Sequence, residues 1–293
     1  MSETVEKQAA SVPAWRGLFQ PVLAAALLGA AVVLSSCAST SVVGTKEAYA
    51  ADEPAGALYN EGLAYMNAGK LPDAVKSFNE VDRQHPYTEW ARKAILMSAF
   101  ASFRHGDYDD TTATANRYLT LYPGAPDAAY AQYLVGECYF RQVPDVTRDQ
   151  AATQKALDAM TEIVTHYPQS EYADDAQKKI TMARDQLAGK EMQIGRYYLE
   201  RREYLAAINR FKFVVTTYQD TRHVEEALER LTEANMAMGL VSEAQTAAAV
   251  LGHNFPDSPW YKDAYKLLQT GGVEPREDSG SWMSKIFAAK KTG

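Results

Sequence analysis

The stretch Tyr167-Pro168-Gln169-Ser170-Glu171-Tyr172 recurs in variant forms along this chain of 293 residues. It places a proline after an aromatic residue, followed by polar residues, a second aromatic residue and an alanine-rich segment. Another clear copy is Phe255-Pro256-Asp257-Ser258-Pro259-Trp260, looser copies lie at 85–90 and 122–127, and 218–221 is a copy without the proline. Because recurrence of this kind is the signature of stacked repeats, the motif predicts a helical solenoid.

Between these turns, apolar residues recur at helical spacing and do not alternate as they would in strands. The pattern is typical of the tetratricopeptide repeat, in which a small residue on helix A lets helix B approach closely and a proline ends helix B. The first repeat has the expected residues, which are Gly62, Tyr65, Gly69, Ala74, Phe78 and Pro86. The sequence therefore predicts an all-α fold, a right-handed superhelical solenoid of about five tetratricopeptide-like helix pairs plus a capping helix.

The predicted domain boundaries follow the turns. Repeats 1 to 3 occupy 57–170, and the third contains an inserted loop. Residues 171–270 are predicted to hold a charged linker helix at 171–190, repeats 4 and 5, and a helix that caps the apolar end of the stack. Residues 271–293 are rich in Glu, Pro, Ser and Gly and are predicted to form a disordered tail. The alternative for 281–287 is a short amphipathic docking peptide.

The N-terminal segment has the pattern of a lipoprotein export signal. An apolar stretch, 18–34, leads into Leu34-Ser35-Ser36-Cys37, which resembles the bacterial lipobox. Residues 1–36 are thus predicted to be a signal peptide, and Cys37 is predicted to carry acyl chains that hold the protein to a membrane. The alternative is an ordinary signal peptide or signal anchor with a chance cysteine.

The residues after Cys37 predict where the protein resides. Ala38 follows the cysteine, and by resemblance to lipoprotein sorting rules this favours lipid anchoring at the periplasmic face of the outer membrane. Residues 37–56 are small, polar and weakly patterned, so they are predicted to be a flexible tether between the lipid and the folded repeats.

Composition argues against several functional classes. The formal net charge of −7 disfavours nucleic acid as a partner. The five histidines lack metal-ligand spacing, and the chain contains neither a glycine-rich phosphate loop nor a nucleophile elbow. Cys138 is predicted to be a buried small residue on helix A. The sequence therefore predicts a non-enzymatic protein with no cofactor and no metal.

The helix A positions predict two interaction surfaces on the concave face of the solenoid. The N-terminal surface is aromatic with a few cations, which suits an extended peptide that ends in an aromatic side chain and a carboxylate. The alternative is that its rings serve repeat-to-repeat packing. The residues of this predicted peptide groove are Tyr59, Leu63, Met66, Phe100, Phe103, Arg104, Tyr133, Phe140 and Arg141. The C-terminal surface, a more charged docking site for a partner, contains Arg196, Leu199, Glu229, Glu233 and Met236.

The chain resembles the BamD (ComL) family, the lipoprotein subunits of the outer-membrane β-barrel assembly machinery. The lipobox, the tether, the repeats and the loop inserted in the third repeat extend this resemblance over about residues 37–270. The stretches that carry it are 58–63, 78–87, 117–123, 145–150 and 164–173. The sequence departs from the family at Gln219, where a proline is expected, and in the long tail.

This resemblance implies a non-enzymatic scaffold with several partners. It implies that the C-terminal repeats dock the periplasmic domains of BamA and that the N-terminal repeats recognise C-terminal segments of unfolded outer-membrane proteins. Other lipoproteins of the assembly machinery are implied as further partners. The alternative function is a periplasmic repeat adaptor for enzymes of cell-wall synthesis or cell division.

Overall fold

The computed structural model describes residues 53–290, and within this range every regular element is an α-helix. The predicted signal peptide, Cys37, nearly all of the tether and the last three residues lie outside the described residues. None of the helices in the described range is long and apolar enough to cross a membrane.

The helices are α1 Ala55–Asn67, α2 Leu71–Gln84, α3 Glu89–His105, α4 Tyr108–Leu121, α5 Ala128–Arg141, α6 Ala151–His166, α7 Ala173–Glu200, α8 Tyr204–Thr217, α9 Val224–Ala237, α10 Val241–Asn254, α11 Pro259–Thr270 and α12 Trp282–Lys290.

Each of the helices α1 to α10 packs mainly on its neighbours in sequence, and α11 packs on α9 and α10. The order gives five helix pairs, α1/α2 to α9/α10, with α11 as the cap. Contacts between successive A helices, such as α1 with α3 and α3 with α5, stack the pairs. The prediction of an all-α solenoid is confirmed.

Small residues on the A helices allow close approach of the B helices. A Cβ atom added at Gly62 would lie 2.7 Å from the ring of Phe78, and one added at Gly195 would lie 2.4 Å from the ring of Phe211. Both rings are fully buried. Gly136 faces Met160 in the same way, at a longer sequence separation because the inserted loop lies between them. This contact is the physical basis of the repeat pattern.

The turn from helix A to helix B uses a left-handed residue in four repeats. Gly69, Gly106 and Gly239 have φ values of 74°, 94° and 75°, and Arg202 takes this conformation in repeat 4 with φ 62°. The next residue donates a backbone hydrogen bond to the last turn of helix A, as from Lys70 N to Tyr65 O at 2.9 Å. Glycine suits this Schellman-type helix end because it lacks a Cβ.

The predicted linker helix is not a separate element. Helix α7 runs without a break from Ala173 to Glu200 and so joins the expected 171–190 segment to helix A of repeat 4. No proline interrupts it, and Gly189, one of its two glycines, is buried beside His223 and Val146. A helix of 28 residues therefore connects the third repeat to the fourth.

The inserted loop packs on this long helix. Gln186 Nε2 donates a hydrogen bond to Pro144 O at 2.9 Å, and Lys190 Nζ donates one to Thr147 O at 2.8 Å. Both donors lie on α7, so the loop braces the junction between repeats 3 and 4.

The structure also differs from the prediction of a disordered tail. Residues Trp282–Lys290 form α12, and the side chains of Met283 and Phe287 are only 0% and 6% exposed. Both belong to the hydrophobic cluster of the C-terminal repeats. Composition concealed this helix because its apolar residues follow a polar, glycine-containing segment.

Candidate functional site

A ladder of aromatic rings connects helices α3 and α5 with the residue that precedes α7. The ring of Phe100 lies 6.2 Å from that of Tyr130, and Tyr130 lies 5.5 Å from Tyr172. Tyr172 in turn stacks on Tyr133 with centroids 4.8 Å apart. Tyr130 and Tyr172 were not among the predicted groove residues, although Tyr172 is the second aromatic residue of the recurring turn. All four rings are half-buried, so they stabilise the stack and still present ring surface to solvent.

Two arginines lie over the phenylalanine rings of α3. The guanidinium of Arg141 is 4.8 Å from the centre of the Phe103 ring, and that of Arg104 is 5.9 Å from the centre of the Phe100 ring. Both arginines are exposed. Arg141 Nε lies 3.7 Å from the Glu137 carboxylate, and the other N–H groups of the two arginines match the geometry of a carboxylate. We refer to Phe100, Phe103, Arg104 and Arg141 as the arginine–aromatic pair site.

A lysine network holds the neighbouring rings in place. The Lys179 ammonium contacts the carboxylates of Glu137 and Asp175, and it lies 4.8 Å from the Tyr133 ring and 5.7 Å from the Phe140 ring. Tyr133 Oη donates a hydrogen bond to Asp175 at 2.6 Å. Burial disfavours the charged form of Lys179 and so lowers its pKa. Its hydrogen bonds to Asp175, Glu137 and Tyr133 favour the charged form more strongly, so the pKa of Lys179 is raised overall. Sequence reasoning missed Lys179 because its partners come from two helices.

The predicted groove residues of repeat 1 form a separate cluster. Tyr59 packs between Phe78 and Trp90, at ring distances of 5.5 and 5.4 Å. Leu63 is half-buried, whereas Met66 is only 8% exposed and belongs to the core between α1, α2 and α3. Met66 is therefore a packing residue, and the prediction that it lines the groove is corrected.

The predicted docking residues of the C-terminal repeats form two groups. Arg196 pairs with Glu226 at 2.8 Å, and Arg230 pairs with Glu233 at 2.7 Å and with Glu229 at 3.3 Å. These charges belong to one network because Arg230 also lies 3.7 Å from Glu226. Leu199 and Met236 form the second group, and both pack against the C-terminal hydrophobic cluster. Arg230, the centre of the network, was not predicted.

Glu229 lies inside this network and is not on its surface. It is 5% exposed, so the prediction that it contacts a partner directly is corrected. Burial raises the pKa of Glu229 to about 7, although the nearby Arg230 acts in the opposite direction. Its carboxylate is thus partly protonated near neutral pH.

We expect Glu229 to make the stability of the protein pH-dependent. A raised folded-state pKa means that its contribution is fully present below the unfolded-state value of 4.5 and is lost as the pH rises through about 7. Glu229→Gln should therefore be more stable than wild type at pH 8, by roughly 3 kcal/mol, and similar at pH 4.5. Urea unfolding at both pH values measures this, with Glu225→Gln on the same helix as the control. An equal effect of Glu229→Gln at both pH values would contradict the assignment.

Other candidate chemistry is sparse in residues 53–290. No group of His, Cys, Asp and Glu side chains in this range is arranged to hold a metal ion. Cys138 is buried, and burial raises the pKa of its thiol to about 12, so the thiol stays protonated at neutral pH. Cys138 is therefore a packing residue of the core.

Comparisons with known proteins identify the family of this chain. The model of the YfiO family, described as outer membrane lipoprotein, matches residues 51–251. The chain is 47% identical to the outer membrane protein assembly factor BamD of Caulobacter vibrioides, over 86% of this chain and 83% of that protein. It is 39% identical to BamD of Rickettsia prowazekii, over 84% of this chain and 96% of that protein. The resemblance seen in the sequence is thereby confirmed, and the chain belongs to the BamD family.

Proposed function

We propose that this protein is a non-enzymatic lipoprotein subunit of the outer-membrane β-barrel assembly machinery. In this role it scaffolds the barrel subunit BamA and recognises unfolded outer-membrane proteins. Its membership of a family whose named members are outer membrane protein assembly factors supports the general role. The observation that carries the specific role is the arginine–aromatic pair site, where exposed Arg104 and Arg141 lie over the rings of Phe100 and Phe103.

Substrate recognition follows from the chemistry of that site. A C-terminal segment of an unfolded outer-membrane protein that ends in an aromatic residue offers one ring and one carboxylate. The ring packs against Phe100 and Phe103, and such aromatic pairs contribute about 0.5–1.5 kcal/mol beyond the area that they bury. The carboxylate accepts hydrogen bonds from Arg104 and Arg141, and charge-assisted bonds of this kind are roughly twice as strong as neutral ones.

The neighbouring lysine network supports this recognition by keeping the site rigid. Lys179 holds Glu137 and Asp175 and lies against the rings of Tyr133 and Phe140. Side chains that are already ordered lose less entropy when a peptide binds. Tyr133 and Phe140 thereby serve as fixed walls beside the arginine–aromatic pair site.

The C-terminal repeats are the docking half of the protein. Arg196 and Glu233 each keep 39% of their side chain exposed while they take part in the charged network. Networks of this kind favour specificity and rate of association more than affinity, because exposed charges steer a complementary surface. We assign this surface to the periplasmic domains of BamA, and other lipoproteins of the machinery are further partners.

Attachment to the membrane completes the proposal. Cys37 carries the acyl chains, and each methylene that they bury in the bilayer contributes about 0.8 kcal/mol. The protein is thus anchored to the outer membrane with its repeats on the periplasmic face. The tether from Cys37 leads to residue 53, where Glu53 N donates a hydrogen bond to Gln84 at 2.9 Å.

Depletion of the protein from its host tests the general role. We expect many outer-membrane β-barrel proteins to fall together, several-fold relative to inner-membrane proteins, because they share one insertion machinery. Quantitative proteomics of membrane fractions measures this, with re-expression of the wild-type chain as the control. Normal levels of barrel proteins together with chained or septum-defective cells would instead support an adaptor for cell-wall enzymes.

A further inference from the structure

Glu137 lies between the lysine network and the arginine–aromatic pair site. Its side chain is buried on α5, where Oε1 contacts the ammonium of Lys179. The other oxygen, Oε2, lies 3.7 Å from Nε of Arg141, which follows four residues later on the same helix. One internal carboxylate thus faces two cations, and one of these, Arg141, is a cation that the proposed function assigns to the peptide.

The two cations share this carboxylate unequally. The Lys179 ammonium makes the closer contact, whereas the 3.7 Å to Arg141 exceeds the roughly 2.7–2.9 Å of a charge-assisted hydrogen bond. Lys179 keeps only 15% of its side chain exposed, against 54% for Arg141. Lys179 therefore holds the glutamate within the fold, while the guanidinium of Arg141 remains largely in solvent.

Lys179 itself has no hydrogen-bond donor left for a peptide. An ammonium has three N–H donors. The Glu137 and Asp175 carboxylates take up two of them, and the third donates to Tyr133 Oη at 2.8 Å. Any effect of Lys179 on a bound carboxylate is therefore exerted through Glu137.

Without Lys179, Glu137 would close on Arg141. A glutamate four residues before a basic residue is the favourable order for an ion pair on a helix. Glu137 would also be left as a buried charge without a close cation, which is strongly unfavourable. Its carboxylate would then draw in the guanidinium of Arg141, and the N–H groups bound in this way would not be available to a peptide.

We propose that Lys179 determines the preference of the arginine–aromatic pair site for a free carboxylate, because it keeps Glu137 from closing on Arg141. Lys179 is a positioning residue and does not contact the peptide. The role assigned to it rests on the proposed function, in which Arg104 and Arg141 bind the C-terminal carboxylate. Arg141 binds that carboxylate only while Lys179 neutralises the internal one.

The test compares a peptide that ends in an aromatic residue and a free carboxylate with its amidated form. Fluorescence anisotropy on the full chain gives the ratio of the two dissociation constants, which is the preference for the free carboxylate. We expect Lys179→Met to lower this preference by about fivefold or more, since one of two arginines is lost to the ligand, and to change the affinity for the amidated peptide little. Lys178→Met, which removes the same charge from an exposed position of α7, should leave the preference unchanged.

Two double variants separate the capture of Arg141 from a change in net charge. Lys179→Met with Glu137→Gln removes the competing carboxylate, so we expect the preference to return to within about twofold of wild type. Lys179→Met with Asp175→Asn has the same net charge but keeps Glu137, so its preference should stay low. Any other pattern of recovery would overturn the proposal.

Two further observations keep the test decisive. Circular dichroism checks that each variant is folded, and Lys179→Gln, which keeps a donor for Asp175, replaces Lys179→Met if the latter does not fold. A wild-type chain without any preference for the free carboxylate would refute the proposed role of Arg104 and Arg141, and the role of Lys179 with it. A wild-type preference that Lys179→Met leaves intact would refute the role of Lys179 alone.

Discussion

Gly195→Ala is expected to destabilise the protein by about 2 kcal/mol. The new Cβ would lie 2.4 Å from Cε1 of Phe211, whose ring is fully buried in the C-terminal core and has no space to move. Overpacking of this kind costs about 1–3 kcal/mol, which exceeds the roughly 1 kcal/mol that alanine gains over glycine within a helix. Chemical unfolding followed by circular dichroism measures the difference.

The matched control is Gly136→Ala in repeat 3. There the new Cβ would meet the thioether end of Met160 at 2.8 Å, and that flexible end can take another rotamer. We expect its free energy of unfolding to stay within about 1 kcal/mol of wild type. If both variants were equally stable, the close approach of Gly195 to Phe211 would not be what fixes the packing of repeat 4.

Reversal of both charges at the arginine–aromatic pair site is expected to weaken peptide binding by about 10- to 100-fold. The variant is Arg104→Glu with Arg141→Glu, and the ligand is a peptide that ends in an aromatic residue with a free carboxylate. Loss of charge-assisted hydrogen bonds, at about 1.5–3 kcal/mol each, accounts for an effect of this size. Fluorescence anisotropy measures the affinity, and Arg148→Glu in the exposed inserted loop is the matched control.

An amidated peptide makes this result specific to the carboxylate. We expect amidation to weaken binding to wild type but to have little effect on binding to the double variant, because both changes remove the same interaction. If amidation and the double substitution weakened binding additively, the two arginines would not contact the carboxylate.

The repeat architecture could be predicted from the sequence because its determinants are local. The aromatic–proline turns end helices, and Gly62, Gly136 and Gly195 each face a large residue of the paired helix. The continuous helix α7 was harder to predict, since a boundary was expected at 190 and the helix instead continues past Gly189 and Gly195 to Glu200. A short amphipathic segment at 281–287 was only the alternative to a disordered tail, because the stability of helix α12 comes from docking on α10.

The candidate site was predictable only in part. Helix A spacing pointed to Phe100 and Phe103 with Arg104 and Arg141 as neighbours, and in the structure Arg104 lies over Phe100 and Arg141 over Phe103. The sequence pattern did not reveal the Lys179 network, because Glu137 and Lys179 meet across two helices that are distant in sequence. Burial also depends on tertiary packing, which is why Met66 and Glu229 were assigned to surfaces although both are buried.

Mapping of a photo-crosslinked peptide tests the central claim, that the N-terminal repeats hold the C-terminus of an unfolded outer-membrane protein. The peptide carries a benzophenone in place of its C-terminal aromatic side chain, and mass spectrometry locates the crosslinked residues of the full chain. We expect crosslinks on α3 and α5, concentrated within 96–141, and their loss in the Arg104→Glu and Arg141→Glu variant. Crosslinks confined to α9 and α10, or unchanged by those substitutions, would contradict the account.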